Sequence, residues 1–375
     1  MTSSVSDVVI VGGGIVGIAT AYFLAKSGVK CTVIERDAVG SHASGFAYGG
    51  LSPTGDSDAS GDLLPDAQVS NEGMRLHREF ATRLQAETGI NTEFRERPTL
   101  SLAFTEQEVQ AAKSHVSKLG QIEGWTARWL DAADAKAIEP RISDAAIGAI
   151  YSEGGADVEP YRFVLALLGA AENLGATIRH GEVIGLKREG NRVTGVVLNN
   201  GEVSSDCVVL AAGPWTGDAS SWLNIPINIS PLKGQILRLR APGTPFRVSI
   251  GWDGNYATTK PDGLLWTGTT EEEAGFDENP TPEARDQIMT SLLKMIPSLE
   301  DAQLVQQTAC LRPLADDGQI VLGGVHDWNG VYIATGTGRK GILLGPAMGL
   351  ITSDLITKGA TDIPIEQFSP SRFAR

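Results

Sequence analysis

The feature that most constrains the fold is a glycine-rich segment near the start of the chain, VVIVGGGIVGIATAYFLAKSG. The run Val8–Val11 is continuously apolar and is followed by glycine, which is typical of a strand buried on both faces of a parallel sheet. Gly12, Gly14 and Gly17 follow in GxGxxG spacing, which allows a tight turn, a close backbone approach to a pyrophosphate and close helix–strand packing. Residues 15–27 are predicted to form the next helix.

A second strand and an acidic residue complete the pattern of a dinucleotide-binding unit. Residues 31–34 form an apolar run, and Glu35 at its end is placed to accept hydrogen bonds from a ribose 2′-hydroxyl. The first amides and the dipole of the preceding helix favour a diphosphate. This combination predicts an adenine dinucleotide site rather than a glycine turn used for packing alone. These residues do not decide whether the bound dinucleotide is NAD or FAD, whereas Glu35 disfavours the 2′-phosphate of NADP.

Composition and charge exclude several classes of function. The chain has 375 residues and a formal net charge of −14, whereas nucleic-acid binding needs a basic face, so no such partner is expected. An anionic substrate would need a local cationic pocket. The three cysteines lie far apart without metal-binding spacing, so no metal site is predicted. We find no secretory signal and no apolar stretch that could span a membrane, which predicts a soluble, cytoplasmic protein.

The rest of the chain alternates between helical patterns and strand-rich segments. Helix caps and apolar periodicity indicate the helices, whereas short β-branched runs separated by turns indicate a meander of hairpins. Two layers of structure are therefore expected to be interleaved in the sequence. In chain order the segments are a small-residue loop at 40–53, helices at about 71–88, 105–119 and 160–174, the meander at 182–210, strands within 226–275, a helix at about 281–296, a strand at 331–335 and a helix at about 342–356.

Several further segments point to a known family. They are the loop ending in GGL, ADVEP before a helix, VVLAAGPW, CLRPLADDGQIVLGG and ATGTGRKGILLGPAMG. With the opening segment they resemble the D-amino-acid oxidase-like family of FAD-dependent oxidoreductases, especially its glycine oxidase and sarcosine oxidase branch, over nearly the whole chain. The resemblance implies an α/β fold: a Rossmann-type FAD-binding domain, with a parallel sheet and a β-meander, interleaved with an α+β substrate domain built on an antiparallel sheet. The implied FAD-binding domain covers residues 1–75, 150–225 and 310–375, and the substrate domain covers residues 76–149 and 226–309.

The resemblance selects FAD, held without a covalent bond, as the cofactor. It places the loop 338–343 under the flavin, where the N-terminus of the following helix would favour the anionic reduced state. The implied FAD-binding residues are Gly12, Gly14, Ile15, Val16, Gly17, Glu35, Arg36, Ser44, Gly45, Gly49, Gly50, Leu51, Val183, Gly213, Gly338, Arg339, Lys340, Gly341, Ile342 and Leu343.

The same resemblance implies a substrate site. Arg312 in the LRP segment would pair with the substrate carboxylate through its two-pronged guanidinium, Tyr256 would hydrogen-bond the same carboxylate, and Arg339 would act as a second pocket arginine. The implied reaction oxidises the Cα–N bond of a small amino acid or N-alkyl amino acid, of the glycine, sarcosine or D-amino acid type, by hydride transfer to flavin N5. The resulting imine then hydrolyses. The electron acceptor, oxygen or another, stays open.

Two alternative functions fit the same sequence features. A 2-hydroxy-acid dehydrogenase on the same scaffold and an FAD-binding subunit of a heteromeric dehydrogenase are the alternatives. Cys310, and more weakly His42, are candidates for a covalent bond to the flavin. The sequence also departs from the glycine oxidase pattern at Phe46, Tyr48 and Glu271, which puts glycine itself in doubt as the substrate. Two tryptophans in the strand-rich segment, Trp252 and Trp266, are expected in the core rather than in an aromatic wall of the pocket.

Overall fold

The computed structural model describes residues 7–53, 65–119 and 124–373. The first six residues, on which the expectation of no secretory signal rested, lie outside this range. The six predicted helices form close to their predicted bounds, and a proline with a capping side chain fixes the first turn at Pro160 and at Pro282. Three short helices of the described residues were not predicted, and one of them lies within the segment 40–53 that was predicted as a loop. The helices are α1 (Ile15–Lys26), α2 (Ala43–Phe46), α3 (Ala67–Thr88), α4 (Glu106–Leu119), α5 (Ala132–Ile138), α6 (Pro160–Asn173), α7 (Ala219–Leu223), α8 (Pro282–Met295) and α9 (Gly341–Lys358).

The strands of the described residues form four sheets. Short 3₁₀ turns, among them Gly213–Asp218 and Gly338–Lys340, connect some of them to helices. The strands are β1 (Val8–Val11), β2 (Cys31–Glu35), β3 (Gly50–Leu51), β4 (Arg95–Glu96), β5 (Thr99–Ala103), β6 (Thr126–Asp131), β7 (Gly148–Glu153), β8 (Ala156–Asp157), β9 (Thr177–His180), β10 (Val183–Glu189), β11 (Arg192–Leu198), β12 (Gly201–Ser204), β13 (Val208–Leu210), β14 (Ile229–Arg240), β15 (Ser249–Trp252), β16 (Asn255–Thr259), β17 (Leu265–Gly268), β18 (Gln303–Ala315), β19 (Val321–Gly324) and β20 (Val331–Thr335).

The glycine-rich opening lies at the centre of a six-stranded sheet in the order β19-β20-β13-β1-β2-β9. Every pair in it is parallel except β19 with β20. All four residues of β1 are buried, which explains its uninterrupted apolar run. Helices α1 and α9 pack together on one face, and Gly349 lets them approach closely because a methyl group there would lie 2.6 Å from atoms of Ala19. The predicted parallel-sheet unit is confirmed.

The remaining strands form the meander and a second large sheet. Strands β10, β11 and β12 pair in antiparallel order, as the hairpin pattern predicted, whereas the end of the predicted segment 182–210 forms β13 of the parallel sheet. An eight-stranded sheet has the order β18-β14-β17-β16-β15-β5-β7-β6, and its pairs are antiparallel except β15 with β5. Helix α8 packs on this sheet over an apolar core that includes Leu237, Ile250 and Leu292. The α/β fold class is therefore confirmed.

The predicted domain boundaries remain a prediction. The boundaries at residues 150 and 310 fall inside β7 and β18, which both belong to the eight-stranded sheet. No helix of the described residues combines the length and apolar character that crossing a bilayer requires. The carboxyl ends of β1 and β2 face one edge of the eight-stranded sheet across a cavity, and the candidate site lies there.

Candidate active site

One cavity brings most of the predicted cofactor residues together. Its wall includes the turn after β1, the end of β2, the start of β10, the N-terminus of α9, and residues of β14 and β18. The predicted FAD-binding residues on this wall are Gly12, Gly14, Ile15, Val16, Glu35, Arg36, Ser44, Val183, Gly213, Gly338, Arg339, Gly341 and Ile342. The predicted substrate residues Arg312 and Tyr256 line the same cavity.

The other predicted cofactor residues do not line this cavity but pack behind it. Gly17 packs against Gly12, Leu343 is buried in α9, and Lys340 pairs with Asp66 at 3.3 Å. The remaining four belong to the small-residue loop and its exit strand β3: they are Gly45, Gly49, Gly50 and Leu51. Their contact with FAD stays a prediction.

The geometry of the glycine turn suits a pyrophosphate. Gly12 has φ +108°, and a side chain there would overlap the carbonyl oxygen of Ala211 at the end of β13. The backbone amide of Gly13 donates to Glu35 Oε2 at 2.6 Å, and that of Ile15 donates to Ser44 Oγ at 3.0 Å. These bonds hold the first turn of α1 against the cavity, where its amides and dipole favour an anion.

Glu35 supports the turn and faces the cavity at the same time. Its Oε1 accepts a hydrogen bond from the backbone amide of Asp37 at 2.8 Å, while Oε2 accepts from Gly13. Each carboxylate oxygen can accept a second hydrogen bond. The residue therefore retains capacity for the ribose hydroxyls that the sequence pattern predicts for it.

An aromatic and charged cluster on the cavity wall was not predicted. The Arg36 guanidinium lies 4.1 Å from the centre of the Trp215 ring, which stacks on Phe276 at 5.6 Å. His42 bridges Asp37 at 2.9 Å and Glu278 at 3.1 Å. Burial lowers the pKa of His42, but its hydrogen bonds to the two carboxylates outweigh burial and raise it above the ordinary value. Arg36 and His42 were singled out from the sequence for other roles, but no sequence pattern brings them together with Trp215.

Arg312 is held on β18 with its guanidinium on the cavity wall. Nη2 donates to Thr269 Oγ1 at 2.7 Å, and Nη1 donates to the carbonyl oxygen of Thr270 at 3.1 Å. A methyl group on Gly234 of the paired strand β14 would overlap Nη2 and Cζ of this side chain, so the glycine leaves the space that the guanidinium occupies. A partly buried, oriented guanidinium suits two-pronged recognition of a carboxylate.

Gly234→Ala is expected to raise the KM of an amino acid substrate by roughly tenfold or more, because the methyl group displaces the carboxylate anchor. Steady-state kinetics and the melting temperature of the purified variant check this. Gly185→Ala is the matched control, since Gly185 is also a strand glycine and its nearest non-neighbouring atom would lie 3.8 Å away. Equal KM values in the two variants would contradict the assigned role of Gly234.

Tyr256 lies on the same wall, stacked on Tyr48 with ring centres 3.8 Å apart. Burial, with a smaller contribution from Tyr48, raises the pKa of Tyr256 well above its ordinary value, although Arg312 opposes this rise. The phenol is therefore neutral near pH 7 and can donate a hydrogen bond. Arg339 is more exposed: Nη2 donates to the carbonyl oxygen of Gly254 at 2.8 Å, and Nη1 lies 3.5 Å from Glu271.

The structure also places the two candidates for a covalent bond to the flavin and the two tryptophans of the strand-rich segment. Cys310 and His42 both line the cavity, and burial raises the pKa of the Cys310 thiol, although Arg312 opposes this. A protonated thiol is a poor nucleophile. Trp266 is buried in the core, and Trp252 donates a hydrogen bond to Glu108 at 3.0 Å; neither lines the cavity.

The comparisons with known proteins agree with this geometry. A family model described as FAD dependent oxidoreductase matches residues 7–355. The chain belongs to this FAD-dependent oxidoreductase family. It is 30% identical over 371 residues to glycine oxidase of Geobacillus kaustophilus (strain HTA426), covering 98% of this chain and 97% of that protein. The resemblance predicted from the sequence is confirmed.

Solved structures show the same similarity. The crystal structure of glycine oxidase from Geobacillus kaustophilus has a TM-score of 0.93 at 27% identity, with 99% of each chain covered. That of iminodiacetate oxidase from Chelativorans sp. BNC1 has a TM-score of 0.89 at 26% identity, with 97% of this chain and 98% of that chain covered. The protein is an FAD-dependent oxidoreductase, and these relatives support amine oxidation at the level of the family.

The residues of the cavity fit FAD. The glycine turn and α1 N-terminus provide an anion site, Glu35 provides ribose acceptors, and α9 directs its N-terminus into the cavity near Arg312. The predicted cofactor is therefore supported by the chain's own residues as well as by its family.

Proposed function

We propose that the protein oxidises the Cα–N bond of a small amino acid or N-alkyl amino acid. The observation that carries this proposal is the Arg312 guanidinium, oriented by Thr269 and Thr270 on the wall of the cavity that holds the dinucleotide turn. When the substrate carboxylate binds Arg312, the α-carbon attached to that carboxylate is held in a fixed position. The glycine oxidase and iminodiacetate oxidase relatives act on substrates that carry a carboxylate next to a C–N bond, which supports this class of substrate.

FAD supplies the two-electron acceptor when it is bound in this cavity, and the product imine hydrolyses in water. The protein's own residues position the substrate. Arg312 holds the carboxylate, and the neutral Tyr256 phenol donates a second hydrogen bond to it. Arg339 is proposed as a second pocket arginine at the more exposed end of the wall. Orientation of the reacting C–H bond is therefore the main contribution of these residues.

This cavity favours an amine over a 2-hydroxy acid. Oxidation of a hydroxyl group needs a base that removes its proton, whereas a neutral amine forms the imine with its own lone pair. Among the described residues of the wall the only histidine is His42, and two carboxylates already occupy both of its ring nitrogens. We propose that FAD is bound without a covalent link, because the Cys310 thiol is buried and its pKa is raised.

The test is a substrate panel on the purified, FAD-loaded protein. Glycine, N-methylglycine, proline and D- and L-amino acids are added without oxygen, and the loss of flavin absorbance is followed. We expect at least one of these amines to bleach the flavin, and 2-hydroxy acids to leave it oxidised. The rate of peroxide formation in air, compared with the rate of dye reduction, identifies the electron acceptor. Precipitation of the protein with acid is expected to leave the yellow flavin in the supernatant, since no covalent bond holds it. Bleaching by 2-hydroxy acids alone would reverse the assignment.

A further inference from the structure

A second cavity lies behind the two stacked tyrosines. Tyr48 and Tyr256 line both this cavity and the cofactor cavity, so the two cavities meet at this ring pair. Other polar residues on the wall of the second cavity include Arg97, Thr99, Ser101, His115, Ser152 and Ser249. Strands β5, β7 and β15 of the eight-stranded sheet contribute to this wall, together with β3, α4 and β8.

The second cavity is electrostatically suited to an anion. Arg97 is the only charged side chain on the part of its wall that the structure describes, and no aspartate or glutamate lies there. Burial lowers the pKa of His115, and Lys118 adds to this effect, so its imidazole is neutral near pH 7. The remaining polar groups are mostly hydroxyls, which can donate hydrogen bonds to a carboxylate.

Behind Arg97 lies a cluster in which three cations face one carboxylate. Asp157 is buried, and its oxygens lie 2.9 Å from Arg95, 3.4 Å from Arg97 and 3.3 Å from Lys260. Burial lowers the pKa of Lys260 to about 8, against the opposing effect of Asp157, so this amine is mainly protonated at pH 7. The cluster therefore carries excess positive charge, and an anion near Arg97 would compensate it.

Arg97 is also connected to Tyr48 of the tyrosine pair. Its Nη1 donates to Thr258 Oγ1 at 2.6 Å, Thr258 Oγ1 lies 2.8 Å from Ser249 Oγ, and Ser249 Oγ lies 3.3 Å from the Tyr48 hydroxyl. These bonds fix Arg97 and the Tyr48 ring relative to each other. The position of Tyr48 is one of those where the sequence departs from the glycine oxidase pattern.

We propose that the second cavity is a substrate subsite that binds a distal carboxylate through Arg97. The inference rests on the proposed function: Arg312 binds the α-carboxylate in the first cavity, and the N-substituent or side chain of a dicarboxylic amino acid extends past Tyr48 and Tyr256 into the second. Such a substrate carries the negative charge that the Asp157 cluster leaves uncompensated. The substrate class is thus amino acids with a second carboxylate.

The first measurement compares matched substrates that differ in the distal carboxylate. N-(2-carboxyethyl)glycine is paired with N-propylglycine, and each enantiomer of glutamate with the same enantiomer of norvaline. We expect the diacid of at least one pair to have a kcat/KM at least about tenfold higher, and Arg97→Gln to remove that preference. Arg95→Gln is the matched control, because Arg95 contacts Asp157 but does not line the cavity. Its diacid preference is expected to fall less than that of Arg97→Gln, because Arg95→Gln removes one charge of the cluster but leaves Arg97 on the cavity wall.

Binding of inert acids provides a readout that does not need turnover. Glutarate and butyrate are titrated into the oxidised FAD-loaded protein, and the flavin spectrum reports the dissociation constants. We expect glutarate to bind at least about tenfold more tightly than butyrate, and Arg97→Gln to equalise them. Tyr48→Ala removes one of the two rings at which the cavities meet and is expected to increase the preference for the longer diacid.

The two proposals fail in different ways. If amines bleach the flavin but no diacid is preferred and glutarate binds like butyrate, the subsite is wrong and the oxidase assignment stands. If Arg95→Gln removes the preference as completely as Arg97→Gln, the cluster acts on overall structure and Arg97 is not the distal ligand. If no amine bleaches the flavin, the proposed function fails and the subsite with it.

Discussion

Arg312→Ala is expected to lower kcat/KM for an amino acid substrate by roughly a hundredfold to a thousandfold, mainly through KM, while FAD stays bound. The guanidinium is partly buried and oriented by Thr269 and Thr270, so its removal leaves the substrate carboxylate without its charged partner. Steady-state kinetics give the two constants, and the ratio of absorbance at the flavin band to that of the protein reports cofactor content.

Two controls make this prediction specific for the carboxylate. A primary amine without a carboxylate should be oxidised at similar low rates by the unmodified protein and by Arg312→Ala, because it has nothing to pair with the guanidinium. Arg312→Lys keeps the charge but loses the two-pronged geometry, so an intermediate KM is expected. An unchanged KM in Arg312→Ala would remove the basis of the proposed function.

The dinucleotide unit could be predicted almost completely from the sequence because its determinants are local. The strand Val8–Val11 has the predicted bounds, and α1 ends one residue before the predicted position. The tight turn at Gly12 follows from adjacent glycines, and the acidic residue Glu35 follows from the end of the next strand. Each of these features depends on neighbours within the first 35 residues or so, where spacing is informative.

The substrate side depends on contacts between distant segments, which spacing does not encode. The family resemblance identified Arg312 and Tyr256 as candidate substrate-binding residues. It did not indicate that Gly234 provides the space for the Arg312 guanidinium. That relation depends on the register of β14 with β18, where Leu232 is opposite Arg312 and Gly234 is two residues further along the same face. A lone glycine in PLKGQILRLR carries no such signal.

The second cavity could not be predicted from the sequence either, because its wall is also built from segments that are far apart in the chain. Tyr48 was noted as a departure from the family pattern, but its stacking partner is about two hundred residues away in the chain. Arg97 and Asp157 meet Lys260 only because β4, β8 and β16 converge beside the tyrosines. An acidic chain with a net charge of −14 thus concentrates buried cations at the places where we propose that substrate carboxylates bind.

Gly12→Ala is expected to give protein that purifies without yellow colour and binds added FAD at least about a hundredfold more weakly. The new methyl group would lie 2.8 Å from the carbonyl carbon of Ala211 and overlap its oxygen, and φ +108° is unfavourable for alanine. The turn must therefore move away from β13, which displaces the first turn of α1 from the pyrophosphate site. Fluorescence titration of the apoprotein with FAD gives the dissociation constant.

Loss of FAD must be separated from loss of the fold, and Gly28→Ala provides the matched control. Gly28 follows the other end of α1 with φ +80°, so alanine there also meets backbone strain, of about 1–2 kcal/mol. Among the residues that the structure describes, a side chain at Gly28 would have no atom within 4 Å outside its chain neighbours, and this residue does not line the cavity. Gly28→Ala should therefore lower the melting temperature but retain FAD. If Gly12→Ala binds FAD as tightly as Gly28→Ala does, the glycine turn does not hold the cofactor, and the placement of FAD in this cavity loses its main physical support.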